Sequence, residues 1–140
     1  MNKEDKTIIR QKYLELQILE QQINEVYNQQ QIFNQRFKEL KKLEENLSFL
    51  ENSKISKELI SQIGPNIFIK AELKDNKNVF VTVGANVVVE KTIPEAIKLV
   101  STQSQEINNN IELLNHHIII TSEKAQTIQH ELEMLQEESK

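Results

Sequence analysis

Apolar residues return every seven positions through the second half of this chain, and no other feature restricts its possible folds as strongly. One row runs Ile93, Val100, Ile107, Leu114, Thr121, Ile128, Leu135, and its companion runs Ile97, Ser104, Ile111, Ile118, Ala125, Leu132. Two rows with a mean spacing of 3.5 residues form the seam of a supercoiled helix, because that spacing keeps one narrow stripe facing a partner. The first half repeats the pattern, with Ile9, Leu16, Ile23, Gln30, Phe37, Glu44 in one row and Leu19, Val26, Phe33, Leu40, Leu47 in the other. Gln, Glu, Asn, Lys and Arg fill the positions between, as a solvated face requires. Each helix is predicted to run about 40 to 45 residues, or about 60 to 68 Å. Propensity alone does not hold a helix of that length in water, so each needs a partner helix.

Local chemistry marks where the helices stop and start. Thr92-Ile93-Pro94-Glu95 reads as a capping box with proline in the first turn, placing the start of the second helix at or near Ile93. The first helix is expected to fade at Asn52-Ser53, since asparagine tolerates the left-handed backbone that stops a helix. Between these points the period changes to two. Ile67, Ile69, Ala71 and Leu73 alternate with Phe68, Lys70 and Glu72, and Val79, Val81 and Val83 alternate with Phe80 and Thr82. Val87 to Lys91 and the weaker Leu59 to Ile63 complete four short strands, separated by turn signals at Gly64-Pro65-Asn66, Asp75 to Asn78 and Gly84-Ala85-Asn86.

The expected fold is therefore mainly α with a small β insert: two long helices in an antiparallel coiled coil, joined by two β-hairpins. Residues 1–52 form the N-terminal helix, 53–92 the insert and 93–140 the C-terminal helix, together one structural domain. Antiparallel pairing about the insert brings together seam residues whose numbers add to about 143 to 145, so that Leu47 faces Ile97 and Ile9 faces Leu135. Both chain ends then lie at one tip and the hairpins at the base. Isolated hairpins are marginal in water, and their free edges invite pairing with another chain. The valine and isoleucine density, with Phe68 and Phe80, gives apolar surface on both strand faces, and the insert reads as an assembly device. Its candidate oligomerisation residues are Ile67, Phe68, Ile69, Val79, Phe80, Val81, Val83, Val87, Val88 and Val89.

Composition excludes several functions. Aromatic residues make up only 5% of the chain and there are only two glycines, which fits elongated helices better than a globular core. A formal charge of −4 provides no basic stripe for nucleic acid. With no cysteine there is neither a disulfide framework nor thiolate chemistry. The charged start, Met1 to Lys6, is not a signal peptide, and no apolar run is long enough to span a membrane, so a soluble cytoplasmic protein is expected.

The run "IGPNIFIKAELKDNKNVFVTVGANVVVEKTIPEAI", Ile63 to Ile97, resembles the central segment of the alpha class of archaeal-type prefoldins, set apart by two hairpins between its helices. The resemblance covers about a quarter of the chain in detail; the helices match in length and heptad pattern. The family tends to have glycine where this chain has Asn66 and Asn86, and asparagine, tolerant of positive φ, is expected to keep both turns. The resemblance implies a hexamer of two alpha and four beta subunits on a double β-barrel. Such an assembly holds unfolded polypeptides at the arm tips without ATP and passes them to a group II chaperonin. A coiled-coil scaffold, or a prefoldin-like subunit of a non-chaperone complex, is the alternative.

No catalytic, metal or cofactor site is expected. Gly64 and Gly84 are isolated, so no phosphate cradle exists, and the carboxylates are spread along solvated faces. His116 and His117, adjacent on a helix, point about 100° apart and cannot share a metal, and His130 stands alone. Gln30 reads as a polar seam residue that fixes register. The candidate client-binding residues lie at the tip, where the seam has no further layer to cover it: Ile8, Ile9, Leu132, Met134 and Leu135. Leu14, Ile18, Leu113, Ile119 and Ile120 lie off the seam and extend the candidate surface along the arm.

Overall fold

The computed structural model describes residues 2–138, so the outer bounds of the two expected helical segments, Met1 and Lys140, lie outside the described residues. Helix α1 spans Lys3–Glu51, strands β1 (Glu58–Gly64), β2 (Ile67–Glu72), β3 (Asn78–Thr82) and β4 (Val88–Thr92) follow, and helix α2 spans Ile93–Glu138. At 49 and 46 residues the helices exceed the predicted lengths. α1 begins before its first seam residue because Asn2 caps it: the Asn2 side-chain oxygen accepts from the Asp5 amide at 2.8 Å. Glu4 and Asp5 in the first turn also suit the positive end of the helix dipole.

Two compact units share these elements, one made of residues 1–36 with 107–140 and the other of residues 37–106. In the first, the helices pair antiparallel. Lys12 meets Glu131 at 2.5 Å and the Gln30 amide donates to Asn115, so that rising numbers on α1 meet falling numbers on α2. These pairs add to 143 and 145, the register expected from the two seams. Ile9, Leu16, Leu19, Ile23, Val26, Gln30 and Phe33 are half-buried, and each is flanked by exposed neighbours. On α2, Ile107, Ile118, Thr121 and Leu132 are buried, with Ile111, Leu114, Ala125, Ile128 and Leu135 half-buried.

The second unit holds the best-packed core. Leu47, Ile93, Ala96 and Val100 are buried together, and Leu40, Leu50, Val79, Val81 and Ile97 pack around them. The capping box is present: Glu95 N–H donates to the Thr92 hydroxyl at 3.2 Å, and Thr92 N–H donates to the Glu95 carboxylate at 3.3 Å. Ile93, with no exposed surface, also gives its amide to the Lys77 carbonyl at 2.9 Å, which ties the start of α2 to the loop before β3. The Asp75 carboxylate accepts from the amides of Lys77 and Asn78, fixing that turn.

The end of α1 corrects the expectation that Asn52 stops the helix by turning left-handed. Asn52 is not among the positive-φ residues; the first of these after the helix is Ser56, at φ 70°. The helix ends as the Ser53 amide bonds the Leu50 carbonyl at 3.1 Å, while Asn52 Nδ2 donates to the Ser48 carbonyl at 3.0 Å and the Ser53 hydroxyl to that of Phe49 at 2.6 Å.

β1 pairs with β2 and β3 with β4, each antiparallel and each a separate two-stranded sheet. The β1–β2 turn joins Pro65 to Asn66 at φ 61°, the signature of a type II turn, and the register shifts by one residue between Gln62 and Gly64. The β3–β4 loop is closed by Val83 N–H to Val87 O at 3.0 Å and Val87 N–H to Gly84 O at 2.9 Å. Gly84, Ala85 and Asn86 all adopt positive φ in that loop, at 118°, 49° and 61°. Glycine and asparagine accept this readily, whereas Ala85 carries a cost of about 1–2 kcal/mol.

Candidate functional site

Two surfaces collect the candidate residues, one on each unit. On the hairpins, alternation sorts the side chains by face. In β3, Val79 and Val81 turn onto the helix core while Phe80 points away and is 76% exposed. Val89 lies opposite Val81, and Val88 opposite Thr82. Val83 and Val87 flank the loop and are exposed. In the other hairpin Leu59 and Ala71 face each other and are half-buried, but Ile60, Ile63, Ile67, Phe68 and Ile69 are exposed. Since Ile67 and Ile69 lie on one face of β2 and Phe68 on the other, this strand exposes apolar surface on both sides. Of the ten candidate oligomerisation residues, eight are exposed, and Val79 and Val81 instead join the chain's own core. Which face met the helices was not readable from an alternation that is apolar on both sides.

Apolar surface of this density, beside strand edges whose backbone groups are unpaired, is uncommon on a monomer. Each strand pairs on one side only, so every hairpin offers two open edges.

At the paired helix ends, the five candidate tip residues divide. Leu132 is only 4% exposed and Ile9 and Leu135 are half-buried in the seam, whereas Ile8 and Met134 are exposed. Off the seam, Leu14, Ile18, Leu113, Ile119 and Ile120 are all exposed, and Ile18 and Ile120 line one shallow groove with Leu19 and Ile128. The seam here also contains a charged residue, Lys12, which occupies the place three positions after Ile9 that the row beginning at Leu19 leaves vacant. Its ammonium bonds Glu131, and Gln136 Nε2 donates to the Tyr13 hydroxyl at 2.7 Å. The only signal in the sequence was that gap. The Glu131 hydrogen bond raises the Lys12 pKa above its ordinary 10.5, against a smaller opposing effect of desolvation and with added pull from the charges of Glu131 and Glu15. A raised folded-state pKa means that the pair's contribution is complete below about pH 10.5 and is lost only as pH climbs through the higher folded value.

His116, His117 and His130 are exposed. Among the described residues no group of three His, Asp or Glu side chains is placed to hold a metal ion, and no helix is long and apolar enough to cross a membrane.

The comparison with known proteins follows the same lines. The family model for prefoldin subunits matches residues 19–138. The chain belongs to the prefoldin subunit family. Prefoldin subunit alpha of Archaeoglobus fulgidus is 29% identical over 124 residues, covering 89% of this chain and 90% of that protein. The alpha subunit of Methanococcus maripaludis is 26% identical over 115 residues, or 82% of this chain and 78% of that protein. That of Methanopyrus kandleri is 35% identical over 69 residues, 49% of this chain and 44% of its own length. Among solved structures, a chain of filamentous PFD from Methanocaldococcus jannaschii superposes with a TM-score of 0.75, covering 85% of this chain and 98% of that one. At 17% identity this likeness speaks for the fold, two long helices with two hairpins between them in sequence. The match to the prefoldin subunit family thus extends well beyond the hairpin segment, into both helices.

Proposed function

We infer that this chain is the alpha subunit of an ATP-independent prefoldin chaperone in the cytoplasm. Its hairpins assemble with one-hairpin beta subunits into a hexamer of two alpha and four beta chains. Its helix tips hold unfolded polypeptides through Ile8, Ile9, Leu132, Met134 and Leu135 and pass them to a group II chaperonin. The observation that carries the assembly half is the two-faced apolar exposure of β2 together with Phe80, which the described residues leave exposed. The reading uses no cofactor and no chemical step. Residues 53–92 serve as the oligomerisation insert and the flanking helices as arms.

The function is tested on the complex formed with a beta-type subunit. Diluting a chemically unfolded protein into it should give suppressed light scattering. Removing residues 2–9 and 132–140 leaves the hairpins intact and should leave the complex mass unchanged apart from the missing residues. The trimmed complex should lose most of its holding capacity, since even a few hundred Å² of apolar surface is worth several kcal/mol at roughly 25 cal/mol per Å². Equal suppression after trimming alpha and beta tips together would move the client site to the exposed Leu113, Ile119 and Ile120. No suppression by the full complex would favour the scaffold reading.

A further inference from the structure

Near the outer end of the paired helices, polar contacts stand beside the apolar seam residues Ile9, Leu132 and Leu135. Lys12, on the seam of α1, reaches Glu131 on α2, and one residue further along α1 the Tyr13 hydroxyl accepts from Gln136. Between Glu131 and Gln136 lie Leu132, buried, and Leu135, half-buried, which are two of the residues assigned to client contact. Deeper in the same unit the seam is mainly aliphatic, with Leu16, Leu19, Ile23 and Val26 on α1 and Ile118, Ala125 and Ile128 on α2, interrupted by the uncharged polar residues Gln30 and Thr121. A lysine at a seam position, paired with a carboxylate beside the seam, holds the helices more weakly than leucine there would, because the ions keep part of their desolvation cost while salt screens their attraction. The Lys12 and Glu131 side chains retain 26% and 46% of their exposure, so the pair is open to that screening. Such a contact fixes register when closed and releases the end at low cost.

We propose that Lys12–Glu131, aided by Tyr13–Gln136, is a latch that holds the tip closed over Leu132 and Leu135 and whose opening uncovers them for an apolar polypeptide segment. Exposed Ile8 and Met134 present a constant apolar rim, and the latch controls how much surface is added to it. This goes beyond the assignment of the tip as client site and rests on it only for the identity of the occupant, since the opening itself is measurable without a client.

The test is amide hydrogen exchange on the full-length chain at low and high salt, followed in segments 8–16 and 128–136. In the wild type, exchange in both segments should accelerate about tenfold on going to high salt, while segments 19–26 and 111–121 stay unchanged. Lys12→Leu with Glu131→Gln replaces the ion pair by an apolar layer and should slow exchange at the tip about tenfold and remove its salt dependence. The charge reversal Lys12→Glu with Glu131→Lys should restore wild-type behaviour, which separates the pair from either side chain alone. Salt-independent exchange in the wild type, or a double variant whose tip opens as readily as before, overturns the latch. Client capture is then compared at fixed assembly. If the closed variant exchanges slowly and captures less client, the latch gates the tip. If it exchanges slowly yet captures as much, gating is refuted, and the tip assignment fails separately only if trimming is also without effect.

Discussion

Phe80→Asp should abolish assembly while leaving the helices intact. Phe80 is 76% exposed in the chain by itself and sits on the outward face of β3, so aspartate there meets water in the monomer and alters no contact of the chain's own core. In an assembly that covers this face, the change removes about 1.5–3 kcal/mol of phenylalanine burial and leaves an unpaired charge at a further cost of several kcal/mol. With tenfold in affinity for each 1.4 kcal/mol, the complex should weaken at least about a thousandfold. Sedimentation should show single chains, and circular dichroism should show unchanged helix content. Val81→Asp makes the contrasting case: Val81 packs against the buried group around Leu47 and Ile93, so charge there disrupts the subunit's own fold as well as its assembly. Equal behaviour of the two variants would mean that β3 does not divide its faces between the core and a partner.

Ile93→Ala should destabilise the hairpin unit more than any comparable truncation elsewhere in the seam. Ile93 has no exposed surface, sits among Leu47, Ala96 and Val100, and follows the capping residue Thr92. Its amide anchors the loop before β3 through Lys77. Truncation leaves a cavity where a strand end, a helix start and the opposite helix converge, with a cost of about 2–5 kcal/mol. For a chain of this length that lowers the melting temperature by roughly 10 °C. Ile128→Ala, at a half-buried seam position lining an open groove, should cost clearly less, because less of its surface is buried to begin with. Similar melting temperatures for the two variants would show that the core is not concentrated at the start of α2.

The features that the sequence made legible are those set by local repetition or local chemistry. A 3.5-residue period sustained over both halves leaves one stripe that can be buried, and the seam rows are the residues that lose exposure, from Ile9 to Leu47 and from Ile93 to Leu135. Thr92 and Glu95 needed only each other to form the cap. Asn66 and Asn86 stand at positive φ because their turns demand it. What stayed hidden depends on neighbours distant in sequence. The inward turn of Val79 and Val81 is decided by where the helices lie, and a strand apolar on both faces does not announce it. Lys12 meets Glu131 only in the antiparallel register, and in the sequence it is a missing apolar residue. Leu132, expected to lie open at the tip, is buried because the α2 seam row continues through it. Asn52 does stand at the end of α1, but it bonds the Ser48 carbonyl through its side-chain amide and does not take the left-handed backbone its residue type suggested.

The central claim is that the two hairpins exist to be completed by other subunits. Co-expression of the chain with a one-hairpin prefoldin beta subunit, followed by native mass measurement of the purified complex, tests it directly. The account predicts one species with the mass of two copies of this chain and four of the partner, absent when Phe80→Asp is introduced. A monomer unaffected by the partner, or an open-ended series of masses with no closed complex, would contradict it.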